Sequence, residues 1–230
     1  MKLFADGAVI TEMVEFYNSG MVQGFTTNPT LMRKSGVENY EEFAQEVLRQ
    51  ITDVSVSFEV FSDEFEDMKR QAIKLSEMGD NVYVKIPITN TKRESSLSLI
   101  QDLSSQGIKL NVTAIMTVEQ VEDLCKVLSP TTAAIVSVFA GRIADTGIDP
   151  IPVMQKCLEL VRAVGQSELL WASPREVLNV YQAEEMGCDI ITVTTGVINK
   201  LKLKGKNLND YSLETVKMFY DDAQKVGYVL

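Results

Sequence analysis

The sequence predicts an α/β chain folded as a single (β/α)8 TIM barrel with one additional C-terminal helix. Three observations predict it. Short β-rich runs recur eight times, and segments with helical apolar spacing separate most of them. Eight such units in about 200 residues match a closed barrel at the small end of its range. The first connection, Asp6-Gly7-Ala8-Val9, lacks the glycine-rich turn that an open doubly wound sheet normally carries.

The expected strands are residues 3–6, 24–28, 54–60, 82–87, 109–115, 133–139, 168–173 and 189–194. In order, their C-terminal parts offer Asp6; then Thr26, Thr27 and Asn28; then Glu59; then Lys85. The later four offer Asn111 with Thr113, then Ser137, then Ser173, then Thr192 with Thr194. Asn111 and Thr113 are two apart and so belong to one face. Intervening helices show in Phe43, Val47, Leu48 and Ile51, and in Leu97, Ile100 and Leu103. Start signals are Ser62-Asp63 before Phe65, Thr117 before Val118, and Ser173-Pro174 before Val177. Gly79, Gly107, Gly165 and Gly187 stand where helices should stop. No linker interrupts the chain, so residues 1–230 are expected to form one barrel domain, with 212–230 a C-terminal helix and tail. The helix is expected over 213–225, and the apolar tail Gly227-Tyr228-Val229-Leu230 is suited to packing on a neighbour.

Composition narrows the function. The 230 residues, 45% apolar and 23% charged, are ordinary for a globular protein that needs no disulfide or metal staple. A net charge of −10 argues against a nucleic-acid partner. No apolar run reaches the ~18 residues of a membrane span, and the N-terminal run meets Asp6 too soon for a signal peptide. Cys125, Cys157 and Cys188 form no CxxC pair and read as reduced core thiols in a cytoplasmic compartment. With no His, no clustered Cys and no EF-hand spacing, no metal site is expected. Acid–base chemistry then falls to carboxylates, Lys, Tyr, Cys or water.

Lys85 stands out. It lies in Asn81-Val82-Tyr83-Val84-Lys85-Ile86-Pro87-Ile88, where the pattern calls for another apolar residue. Burial disfavours the charged form of an ammonium. A lysine brought down toward roughly pH 7–8 is a usable nucleophile and forms Schiff bases with carbonyl substrates. Glu59, within Ser57-Phe58-Glu59-Val60, is as poorly explained by a strand merely approaching solvent. Active sites of such barrels lie at the C-terminal strand ends. An anion site is also suggested. Phe139-Ala140-Gly141-Arg142 follows the sixth strand, and Ala172-Ser173-Pro174-Arg175 follows the seventh and is expected to open a helix. A helix N-terminus with Ser and Arg is an anion cradle, and Arg142 adds a second guanidinium.

These residues stand in motifs that resemble the transaldolase family, in its small subfamily close to fructose-6-phosphate aldolase. The motifs are Phe25-Thr26-Thr27-Asn28-Pro29-Thr30-Leu31, Val84-Lys85-Ile86-Pro87, Leu110-Asn111-Val112-Thr113, Ser137-Val138-Phe139-Ala140-Gly141-Arg142-Ile143-Ala144-Asp145 and Trp171-Ala172-Ser173-Pro174-Arg175. They follow the family order and span nearly the whole chain. The resemblance implies that Lys85 forms the Schiff base with C2 of a ketose phosphate. It implies that Asp6 is the acid–base at the C4 hydroxyl, and that Glu59 and Thr113 hold the water that relays protons. It assigns Asn28, Asn111 and Ser137 to the dihydroxyacetone unit, Phe139 to the pocket wall, and Arg142, Ser173 and Arg175 to the phosphate. It implies sugar phosphates of the pentose phosphate pathway as substrates, no cofactor or metal, and a homo-oligomer, a pentamer or decamer. Glutamate at 59 resembles transaldolases, whereas the aldolases of the family tend to carry glutamine. Transfer of dihydroxyacetone is therefore favoured over its release. A non-catalytic sugar-phosphate-binding barrel is a third reading. Two departures from the family pattern are Val138, where proline is common, and Thr89-Asn90-Thr91-Lys92-Arg93, which replaces a glycine-bearing loop expected to border the site.

Overall fold

In the computed structural model, which describes residues 1–229, eight parallel strands pair in sequence order and close into a barrel. The first half runs β1 (Lys2–Asp6), α1 (Ile10–Asn18), β2 (Gly24–Thr26), α2 (Pro29–Lys34), α3 (Tyr40–Gln50), β3 (Ser55–Glu59), α4 (Phe65–Ser76), β4 (Val82–Pro87) and α5 (Leu97–Ser105). The second half runs β5 (Leu110–Ile115), α6 (Val118–Cys125), β6 (Ala134–Val138), α7 (Ala140–Asp145), α8 (Pro150–Arg162), β7 (Ser167–Trp171), α9 (Leu178–Glu185), β8 (Ile190–Thr194) and α10 (Thr195–Lys200). Registers such as Ala5↔Phe25 and Asp6↔Thr194 tie β1 to both β2 and β8 and close the ring.

The helices form where the sequence supplies starts. Asn28 and Asp149 each precede a proline at the first helical position, and their side chains accept from the backbone N–H of Leu31 and Ile151. Thr117 and Gln120 complete a capping box on α6. Each such cap contributes about 1 kcal/mol. The strands are buried on both faces, as a parallel sheet wrapped by helices requires. One buried cluster joins Phe4, Ile135, Leu170 and Ile190 across β1, β6, β7 and β8. Phe4 fits there because residue 24 is glycine: a Cβ at that position would lie 2.5 Å from the Phe4 ring.

Three local expectations are corrected. Strand β2 stops at Thr26, because Asn28 caps a helix. Ser62-Asp63 does not cap α4, whose N-cap is Glu64; Asp63 instead accepts from the Thr91 N–H (2.8 Å) and hydroxyl (2.7 Å). The C-terminal helix starts earlier than expected, as described next.

The chain divides into two compact units, Met1–Ile198 and the segment from Asn199 onward. The first holds all eight strands. The second, taken by itself, has a 3₁₀ turn at Leu201–Leu203 and a 19-residue helix α11 (Leu208–Val226). Asn207 caps it by accepting from Asn209 and Asp210, and Gly227 ends it at φ +73°. No residue of α11 is buried, and Leu208, Val216, Phe219 and Tyr220 are exposed. Tyr228 and Val229 are exposed too, and the tail's last residue lies outside the described residues. Among the described residues, no helix is long and apolar enough to cross a membrane.

Candidate active site

The C-terminal strand ends surround a cavity of about 580 Å³. Ten of the eleven residues singled out above line it; Asn111 does not. Strands β3 and β4 supply its central pair. They pair in register at Glu59↔Lys85, which points both side chains to one face. Lys85 is 6% exposed. Its Nζ donates to the Thr27 carbonyl at 2.7 Å and lies 3.1 Å from Glu59 Oε2. This ammonium is thus buried but satisfied, the condition for keeping a charge in an apolar wall. The Tyr40 hydroxyl donates to the Glu59 backbone carbonyl at 2.7 Å, and its ring packs on Phe58 and Phe61. Burial pushes the Tyr40 phenol far up, so it stays a neutral donor that pins the end of β3.

Asp6, at the end of β1, accepts from Thr26 Oγ1 at 2.7 Å, and Thr26 in turn meets Thr192 Oγ1 at 2.6 Å. Burial raises the Asp6 carboxyl above its ordinary value. The Lys85 charge and the Thr26 hydroxyl oppose that rise without cancelling it, and the Glu59 charge adds to it. A base raised toward working pH is better matched to proton abstraction.

Strand β5 is irregular at its end. The register shifts between Val112 and Ile115, and Ala114 takes a left-handed φ of +61°. Thr113 and Ala114 both reach the cavity wall. The Thr113 hydroxyl is buried with no hydrogen-bond partner among the described residues, so it is available to a ligand or proton relay. Asn111 departs from expectation. It is fully buried, its Oδ1 accepting from Ser137 (2.6 Å) and its Nδ2 donating to Ser57 (3.0 Å). Ser137 lines the cavity and Asn111 holds it from behind.

The two arginines also differ from the expected picture. Helix α9 begins at Leu178, not at Ser173-Pro174. Ser173 is left-handed, φ +60°, whereas an N-cap residue needs extended backbone. The expected cradle at that helix start is therefore absent. Asn179 instead accepts the N–H groups of Arg175 and Glu176. The Arg175 guanidinium forks onto Asp145 of α7, with Nε 3.0 Å from Oδ1 and Nη2 against Oδ2. Arg175 holds the Asp145 carboxyl below its ordinary range. Arg142 lies over the Phe139 ring, 5.3 Å from its centroid. Gly141, in the first turn of α7, locks that helix to the turn after β7: its N–H donates to the Ala172 carbonyl at 3.3 Å, and a Cβ there would lie 1.5 Å from the Ser173 carbonyl oxygen.

Sequence reasoning missed one wall. Beyond the expected Asn28, residues Thr30, Leu31 and Lys34 of α2 line the cavity. The signal was Asn28-Pro29 itself, a cap followed by proline, which reads equally as the end of a strand. The loop Thr89–Arg93 is not part of the cavity lining. Asp63 and a Thr89↔Ser95 bridge hold it elsewhere, so it does not border the site as expected. Among the described residues, no three His, Cys, Asp or Glu side chains come together to hold a metal ion. The three cysteines are unpaired.

Comparison with known proteins agrees with this geometry. The family model described as Transaldolase/Fructose-6-phosphate aldolase matches residues 3–229. A probable transaldolase of Methanococcus maripaludis strain C5 is 35% identical over 202 residues, covering 87% of this chain and 89% of that one. A probable transaldolase of Bdellovibrio bacteriovorus is 34% identical over 226 residues, 98% of each chain. One of Thermoplasma volcanium is 33% identical over 230 residues, 99% of this chain and 97% of its own.

Proposed function

The chain belongs to the transaldolase/fructose-6-phosphate aldolase family, and we propose that this member is a Schiff-base transaldolase. It moves a dihydroxyacetone unit from sedoheptulose 7-phosphate or fructose 6-phosphate to glyceraldehyde 3-phosphate or erythrose 4-phosphate, in the pentose phosphate pathway. The observation that carries this reading is the buried Lys85, held 3.1 Å from Glu59 in a cavity shared with Asp6.

The chemistry follows from the groups in place. Lys85 loses a proton toward Glu59 and its amine attacks C2 of the ketose. Protons relayed through Glu59 and the Thr113 hydroxyl let the carbinolamine lose water. The resulting iminium withdraws electrons from C3. Asp6 then takes the C4 hydroxyl proton, the C3–C4 bond breaks, and its electron pair forms the enamine on Lys85. The aldose phosphate leaves as an aldehyde. An incoming aldehyde accepts the enamine's C3, Asp6 returns the proton to the new hydroxyl, and water releases the product ketose. Asn28 and Ser137 bind hydroxyls of the three-carbon unit, with Asn111 orienting Ser137. Arg142, Ser173 and Arg175 hold the phosphate, and Phe139 supports Arg142. Glu59 favours transfer over release, because a carboxylate beside the imine sustains the proton relay. The exposed apolar residues of α11 support a homo-oligomeric state.

Borohydride reduction in the presence of fructose 6-phosphate tests the reading. The expected result is a three-carbon adduct on Lys85, found by peptide mass spectrometry, and none in Lys85→Ala. Absence of the adduct in the wild-type protein overturns the proposal.

A further inference from the structure

Besides Lys85, three cations line the cavity, and they are not equivalent. Arg175 is forked onto Asp145, and Arg142 lies over the Phe139 ring. Both are held in place. Lys34 is exposed, with neither an ion pair nor a hydrogen bond among the described residues. It ends α2, one helical turn beyond Thr30, which also lines the cavity. Helix α2 follows β2, whereas Arg142 follows β6. Three strands separate β2 from β6 whichever way round the eight-stranded ring is followed, so Lys34 and Arg142 stand on opposite walls of the mouth. Helix α2 buries only Met32 and has open space on its other side too, a second groove lined by Pro29, Met32, Arg33 and Val37.

We propose that Lys34 is the contact that lets this site take phosphosugars of two chain lengths. The inference rests on the transaldolase reading above. The dihydroxyacetone unit is fixed at Lys85, so each carbon added to the aldose carries the phosphate outward by about one bond of ~1.5 Å. Six-carbon and seven-carbon ketose phosphates must therefore place the same dianion at two depths. The anchored arginines suit one depth. A lysine on a flexible four-carbon stem, with no competing carboxylate, follows the phosphate to the other. Lys34 meets the longer substrate from the wall facing Arg142.

The test compares Lys34→Met with wild type on fructose 6-phosphate and sedoheptulose 7-phosphate, after circular dichroism shows the variant folded. A charge-assisted phosphate contact at an exposed rim is worth roughly tenfold. The expected result is about a tenfold loss of kcat/KM for the seven-carbon donor, through KM, and less than about threefold for the six-carbon donor. Lys34→Arg should keep most of the seven-carbon activity. Borohydride trapping of dihydroxyacetone on Lys85, which involves no phosphate, should equal wild type. Losses equal for both donors, larger for the six-carbon donor, or absent overturn the proposal, as does a weaker dihydroxyacetone adduct. Failure of the transaldolase reading shows separately, as a wild-type protein that forms no adduct.

Discussion

Replacing Asp6 with asparagine separates the two halves of the reaction. Asparagine keeps the shape and still accepts the 2.7 Å hydrogen bond from Thr26, but it cannot take a proton from the C4 hydroxyl. In the proposed mechanism imine formation relies on Lys85, Glu59 and Thr113, so it should survive. Loss of a positioned base costs about 10²–10⁴-fold in kcat, or roughly 2.7–5.4 kcal/mol of barrier. Stopped turnover with retained borohydride adduct on Lys85 is the expected pair of results. Stability adds a second, independent readout. Burial raises the Asp6 carboxyl above its ordinary value of 3.8. Below 3.8 the group is neutral both folded and unfolded, and burying it carries no ionic penalty. As pH climbs from there through the raised native value, the unfolded chain ionises first and native stability falls. Above the native value the full penalty is present. Asp6→Asn should therefore melt higher than wild type at neutral pH, with the gap closing as pH falls toward 3.8. Paired thermal melts across this range check the sign. A variant that loses the adduct, or melts lower than wild type at pH 7, would refute the assignment of Asp6 as a buried base outside imine formation.

Two further perturbations probe the neighbours. Glu59→Gln should raise the ratio of free dihydroxyacetone to transferred product, measured with and without an acceptor aldehyde; unchanged transfer with no gain in release contradicts the role given to Glu59. The thiols should be inert. Burial pushes Cys157 and Cys188 up to about 12 and Cys125 up to about 11. At pH 8 an aromatic disulfide reagent should label none of them within minutes in the native protein, and all three after denaturation.

The strands that carry the candidate site were legible because a charge inside an apolar run has few bland explanations. Lys85, Glu59 and Asp6 each interrupt such a run or end one, and the barrel brings them together by register alone. The walls were less legible because their conformations depend on contacts distant in sequence. Ser173-Pro174 carries the same cap-and-proline signal as Asn28-Pro29 and Asp149-Pro150, yet only the latter two start helices. What differs is that residue 173 is left-handed and its backbone is packed tightly on Gly141, a contact distant in sequence. The depth of Asn111 was equally hidden. Periodicity assigns a face, and only the bonds to Ser57 and Ser137 show that its amide is already occupied.

Gly141 has a wider meaning for how this protein can diversify. The residues proposed to react come from strands whose order and register are fixed by the closed ring, while those proposed to hold the phosphate follow strand ends, Arg142 on α7 and Arg175 in a loop of the kind that ordinarily drifts freely. Here the start of α7 and the turn after β7 touch backbone to backbone at one residue, Gly141, that tolerates no side chain. The positions of Arg142 and Arg175 are thereby tied to one another. A change of substrate preference is accommodated more easily on the opposite rim, at α2, whose only buried residue is Met32.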